Sequence, residues 1–405
     1  MLRYITADYV FPISSPPLKN GVIAVDNNGT IVEVRSQKSE VRSQDIQEFK
    51  GIICPGFINT HCHLELSHLK GAIPEKAGMA GFIKNILAKR PGYTHTQVLE
   101  AIIYAEQEMI NNGIVAVGDI SNDESTFEQK SKSYLKYHTF FEVFDLNPSH
   151  AQDTFEEALK LQAKLRSISP SVQSSIVPHA PYSVSFELFK LICDHASKNN
   201  SIISYHNQES LSESELLINK NGAIAELFAA MGINPDYIPK TGLNSLRSTL
   251  INFSRNNKTL LVHNTYTSKE DILWAKNYFT GNLQLTTDNL FWCFCPNANL
   301  YIENKLPDYS AFIDTRANCT IGTDSLASNH SLSVLDELKV ITKYAPYITL
   351  ETLLTWATLN GAAFLGFDKE LGSIEKGKKP GLNLISNVDL GKVQLTNGSK
   401  IKKLF

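Results

Sequence analysis

From residue 52 onward, short runs of β-branched and apolar residues are followed again and again by stretches with helical spacing. This alternation restricts the fold more than any other feature of the chain. The extended runs close near His63, Ile120, Phe144, Pro178, Tyr205, Val262, Cys295 and Gly322. Helical periods are predicted over 96–112, 154–165, 186–198, 269–278, 333–344 and 349–365, with a looser segment at 69–90 and a long polar and helical excursion at 210–257. Eight strand-then-helix units point to a closed parallel barrel more than to an open sheet, and 405 residues suit such a barrel with additions.

The two ends of the chain have a different character. Residues 1–53 read as strands at 3–9, 21–26 and 30–35, with Asn27-Asn28-Gly29 as the hairpin turn between the last two. The last forty residues are again short strands and turns. The expected fold class is therefore α/β: a TIM-like (β/α)8 barrel over 54–365, with 1–53 and 366–405 joining into one small β-sandwich.

Composition excludes several function classes. A formal charge of -3 gives no electrostatic reason to bind nucleic acid or an anionic membrane surface. No apolar run approaches the roughly 20 residues of a membrane span, and the first residues read as a strand, not a signal peptide. Six cysteines without a CxxC pair read as reduced, buried thiols of a cytoplasmic protein. Cys62, Cys293 and Cys295 are conceivable soft metal ligands but read as buried thiols.

Chemistry in such barrels sits at the carboxyl ends of the strands. The first strand ends His61-Cys62-His63, and strand periodicity places the two imidazoles on one side and Cys62 on the other. Alone, this pair is as compatible with two ordinary polar histidines as with a metal. The fourth strand ends in His179, the fifth in His206 followed by Glu209, the sixth in His263 and the eighth in Asp324. Five strand ends bearing His or Asp, in a chain with eleven histidines, form a constellation. His61, His63, His206 and Asp324 would hold one divalent cation, zinc first and ferrous iron second. Glu209 would carry protons, His263 would act on the attacking water or the tetrahedral intermediate, and Asp324 would also accept a hydrogen bond from that water. His179 reads as a substrate contact or an outer ligand. The other histidines read as ordinary, with a reservation for His330 close behind Asp324.

The segments PGFINTHCHLELS, PHAPYSVS, HNQES, LLVHN, CPNANL and GTDSLASNHSLSVLDEL together resemble the amidohydrolase superfamily, in its branch of cytosine, guanine and adenosine-type deaminases and chlorohydrolases. HLELS, HAPYSV, HNQESLSESE and SNHSLSVLDEL look most like aminodeoxyfutalosine deaminases, which hydrolyse the 6-amino group of an adenine nucleoside in menaquinone biosynthesis. The resemblance implies the same metal set, the pair Glu209 and His263, and substrate contacts at His179 and Glu65. Glu65 shares the face of the two histidines if the strand continues; otherwise it reads as a solvated loop acid. The fourth strand end lacks the carboxylated lysine of binuclear relatives such as dihydroorotases, which implies one metal.

Two departures stand out. Ala298 replaces the serine of the usual CPxSN, and Pro380-Gly381 interrupts the usual GKxADLV near the C-terminus. The implied substrate is a small heterocycle, most simply a 6-aminopurine nucleoside. Rivals are guanine or S-adenosylhomocysteine deamination, triazine-type dechlorination, and a catalytically silent ligand-binding relative. The resemblance also admits a homo-oligomer, common among such barrels.

Overall fold

The computed structural model describes residues 2–36, 46–281 and 288–405. Eight parallel strands form its centre: β1 (Phe57–Cys62), β2 (Ile114–Ser121), β3 (Lys136–Val143), β4 (Gln173–Pro178), β5 (Ile203–Asn207), β6 (Thr259–His263), β7 (Leu290–Phe294) and β8 (Asn318–Ile321). They make two four-stranded sheets, ordered β4-β3-β2-β1 and β5-β6-β7-β8. The sheets touch along both margins. The His206 amide donates to the His179 carbonyl at 3.1 Å, and the Thr323 amide donates to the His61 carbonyl at 3.0 Å. Between them lies an apolar cluster that includes Ile58, Phe140, Val262, Phe291 and Phe364.

The helices pack outside, each for a local reason. His95–Asn111 opens on a capping box in which the Gln97 amide reaches Thr94 Oγ1 and the Thr94 amide reaches Gln97 Oε1. It buries Ile102, Ala105 and Met109 at helical spacing. The segment read as loose contains a twelve-residue helix, Gly78–Lys89. Gly78 and Gly81 suggested a break there, but Gly78 takes φ +66° as the lead-in residue and leaves the helix intact. Conversely, the helix expected over 349–365 is two, Leu350–Ala357 and Leu359–Leu365. At the joint, Thr358 has φ -135° and ψ -83°, and its hydroxyl donates back to the Leu354 carbonyl.

Both chain ends build two further sheets. One is ordered Ile31–Arg35, Val22–Val25, Arg3–Thr6, Ile46–Glu48; the other Lys400–Lys403, Leu382–Ser386, Ile52–Pro55, Tyr9–Val10, Leu18–Lys19. Ile5, Val10, Ile23, Val25, Ile53, Ile374 and Leu382 bury a common cluster between them. The expected strand 3–9 is two, because the chain crosses from the first sheet to the second at Ala7-Asp8, where the Asp8 carboxylate accepts the Gly51 amide at 2.7 Å. The expected Asn27–Gly29 hairpin is present, closed by the Asp26 amide on the Thr30 carbonyl at 3.0 Å. No helix among the described residues is long and apolar enough to cross a membrane.

Candidate active site

The end of β1 decides where the histidines point. From Asn59 to Cys62 the strand advances three residues while β2 advances two, from Val117 to Asp119. This bulge lets Thr60 and His61 both turn inward. Thr60 Oγ1 meets Thr320 Oγ1 at 2.8 Å, His61 joins the other histidines, and Cys62 returns to the outer cluster. His61 and His63 thus share a side, as period two requires, with their Nε2 atoms 3.1 Å apart. The bulge needs room. A Cβ at Gly322 would stand 2.8 Å from His61 Cβ and 2.9 Å from its carbonyl oxygen, so only glycine fits there.

Asp324 follows β8 in a left-handed conformation, φ +57°, uncommon outside glycine. Ser328 Oγ donates to its Oδ2, leaving Oδ1 at 3.6 Å from His61 Nε2 and 3.4 Å from His63 Nε2. On β5, His206 Nδ1 lies 3.0 Å from the His179 carbonyl and 3.3 Å from Glu142 Oε1, which turns Nε2 toward His61 and His263. His263, at φ +74°, sets Nδ1 2.9 Å from Asn299 Oδ1 and Nε2 3.5 Å from Glu209 Oε1. The turn carrying Glu209 is held by Glu213, whose carboxylate accepts the Gln208 and Glu209 amides.

Burial governs the protonation states. It pushes His63 down to about 3 and His179 and His263 to about 4, and it holds His206 well below the usual imidazole range. These rings are neutral near pH 7, the form that ligates a metal. Burial alone would raise Asp324, but His61, His63 and His263 outweigh it and hold the carboxylate below its ordinary value. Glu209 is pushed well above the carboxylate range, first by burial and then by Asp324 and Glu213. Among the described residues, three overlapping groups have donor atoms within 4.8 Å of one another: His61 with His63 and Asp324, His61 with His206 and His263, and His63 with His206 and Glu142. Buried imidazoles and a carboxylate make a mixed nitrogen and oxygen set that fits a divalent cation.

Above this cluster opens a cavity of about 680 Å³. His63, His179, His206, Glu209, His263 and Asp324 form its floor, while Met79, Phe82, Ile83, Phe228 and Met231 form an apolar upper wall. His179 therefore faces the space expected of a substrate contact, with its Nδ1 2.6 Å from Ser183 Oγ. Glu65 is placed otherwise than its condition required. The strand stops at Cys62, a 3-10 turn runs Leu64–Leu69, and Glu65 is buried behind the wall. Its carboxylate accepts the Asn122 amide at 2.7 Å and lies 3.3 Å from Arg90 Nη2, and both Asn122 and Arg90 line the cavity. His330 is largely exposed, 3.5 Å from Glu75. Ala298 packs in the inner apolar cluster with Cys293 and Cys295, and all six cysteines are free.

Glu142 and Asn299 join the site although no sequence expectation names them. The signal for Glu142 was available: it stands next to last in β3, as a lone acid in Phe140-Phe141-Glu142-Val143. Asn299 clasps His263 twice, through Oδ1 on Nδ1 and through Nδ2 on the His263 carbonyl at 3.3 Å. Asn299→Ala is expected to cost about 10- to 100-fold in turnover, as loss of an orienting partner does. Steady-state kinetics on metal-loaded protein checks this, and an unchanged kcat would show that the clasp does not set the ring.

The profile of the Amidohydrolase family matches residues 52–403. Among curated proteins, the chain is 26% identical over 343 residues to the adenosine deaminase of Helicobacter pylori, covering 82% of this chain and 78% of that one. It is 24% identical over 378 residues to a Bacillus cereus 5-methylthioadenosine/S-adenosylhomocysteine deaminase, covering 89% and 79%. Among solved structures, Helicobacter pylori aminofutalosine deaminase in complex with methylthio-coformycin superposes with a TM-score of 0.78 at 24% identity, covering 97% of this chain and 93% of that one.

Proposed function

The chain belongs to the amidohydrolase family and is a hydrolase of non-peptide carbon–nitrogen bonds, and from that premise we propose that it removes the 6-amino group of an adenine nucleoside such as aminodeoxyfutalosine. The observation that carries this reading is that His63, His206 and Asp324 line one cavity beside the Glu209–His263 pair, with the His61 ring packed against these imidazoles. The deaminases among its relatives support the choice of an adenine ring.

In this reading His61, His63, His206 and Asp324 hold one divalent cation, zinc before ferrous iron, and no lysine at the end of β4 is there to bridge a second. Bound there, the cation supplies a water acidic enough to react near neutral pH. Glu209, which burial adapts to hold a proton, takes one from the attacking water and gives it to the departing nitrogen. The new carbon–oxygen bond forms, the carbon–nitrogen bond breaks, and ammonia leaves. His263, its Nδ1–H given to Asn299 Oδ1, presents the Nε2 lone pair as an acceptor for the attacking water. His179 contacts the ring from the β4 side.

The architecture is read the same way. The two parallel sheets are taken as halves of one (β/α)8 barrel over 54–365, joined at both margins, and the two end sheets as a β-sandwich of 1–53 and 366–405. A cytoplasmic location accords with six free thiols.

Ammonia release from zinc-loaded protein tests the function, with aminodeoxyfutalosine, adenosine, S-adenosylhomocysteine, guanine, cytosine and a chlorotriazine as substrates. Turnover confined to 6-aminopurine nucleosides is the expected result. Turnover of guanine or chloride release from the triazine would overturn the substrate, and metal binding without any turnover would mark a silent relative.

A further inference from the structure

Buried acids outside the proposed metal ligands and the Glu209–His263 pair take at least one donor at ordinary hydrogen-bond distance. Glu65 takes the Asn122 amide at 2.7 Å, and Glu337 takes the Asn297 amide and Asn329 Nδ2, each at 2.8 Å. Glu142 is different. It is 8% exposed and lines the cavity, yet its carboxylate has only long contacts, Oε1 with His206 Nδ1 at 3.3 Å and Oε2 with Asn122 Nδ2 at 3.5 Å. Both of those donors are better engaged elsewhere, His206 Nδ1 with the His179 carbonyl at 3.0 Å and Asn122 Nδ2 with the Glu142 carbonyl at 2.9 Å. A buried carboxylate has about four acceptor sites and is costly to leave unfilled.

The wall behind it gives no slack. Asn122 is tied through its amide to Glu65, and Glu65 faces Arg90, which also meets Asp123 at 3.1 Å. The open side of the Glu142 carboxylate therefore faces the cavity.

We propose that Glu142 is a specificity-determining residue that accepts a hydrogen bond from a sugar hydroxyl of the substrate. The assignment rests on the function proposed above. With the amino group of an adenine nucleoside engaged at Glu209, the remaining hydroxyl donors of that substrate are on its sugar. Glu142 then separates ribonucleosides from analogues lacking the hydroxyl it reads, because a carboxylate left unmatched in a buried site penalises the wrong ligand.

The test compares adenosine, 2′-deoxyadenosine and 3′-deoxyadenosine with wild-type enzyme, Glu142→Gln and Glu142→Ala, recording kcat, KM and bound metal. Wild-type enzyme is expected to disfavour one deoxy analogue by about 10- to 100-fold in kcat/KM, the worth of one hydrogen bond to a charged group. In the variants that ratio should collapse toward one, through a higher KM for adenosine, with metal retained. A wild type indifferent to both hydroxyls, equal losses on all three substrates, or metal lost from the variants would overturn the assignment and leave deamination standing. Wild-type silence on every adenine compound would remove the proposed function and this assignment together.

Discussion

Glu209→Gln is expected to lower kcat by about 10³-fold, within the range that a positioned acid–base group contributes. Glutamine preserves the shape of the side chain and can still meet His263 Nε2, now 3.5 Å from Oε1, but it cannot carry a proton between water and the leaving nitrogen. Glu213 accepts the backbone amides of residues 208 and 209 whatever the side chain at 209, so the turn should keep its form. Bound metal, measured alongside kinetics, separates the roles. A loss of metal would make Glu209 a ligand, and a kcat within about tenfold of wild type would leave the proton shuttle without its carrier.

The second large effect concerns stability. Lys130 and Asp119 are both buried, with Nζ 2.6 Å from Oδ2, and the ammonium also donates to Ser121 Oγ and Thr139 Oγ1 at 3.0 Å each. Asp119 Oδ1 accepts the Leu64 amide at 2.9 Å, one residue beyond His63. Removing one partner strands the other charge in an apolar setting, which costs about 3–5 kcal/mol. Lys130→Met should therefore lose about that much in urea unfolding, and adding Asp119→Asn should restore part of it by deleting the stranded charge. Strict additivity of the two changes would show that the pair is not coupled.

That contact also explains why parts of the site were legible in sequence and others were not. His61 and His63 on one side, and His206, His263 and Asp324 at strand ends, follow from period two and from the position of the strand termini. Glu65 depended on the strand continuing, and it does not. Its ladder ends where the Asp119 side chain captures the Leu64 amide, a partner 55 residues away. The inward face of the histidines was likewise decided by a bulge, which no local propensity marks. The weight of Glu142 lies in what its oxygens lack, and that is visible only once Asn122 and His206 are set around it. The helix at Gly78–Lys89 was hidden by its own glycines, although Met79, Phe82, Ile83 and Ile86 fall at helical spacing.

The margin between β1 and β8 has a consequence for how the protein is made. Asn59 and Thr323 exchange hydrogen bonds across 264 residues of chain, and Cys62 bridges to Asp324. On a ribosome β1, which carries His61, is made 264 residues before its partner at Thr323, so one edge stays unpaired in that interval. Such an edge invites wrong pairing in the interval. In the proposed site, a nascent chain holds His61, His63 and His206 before Asp324 is translated, so the full ligand set exists only once residue 324 has been made.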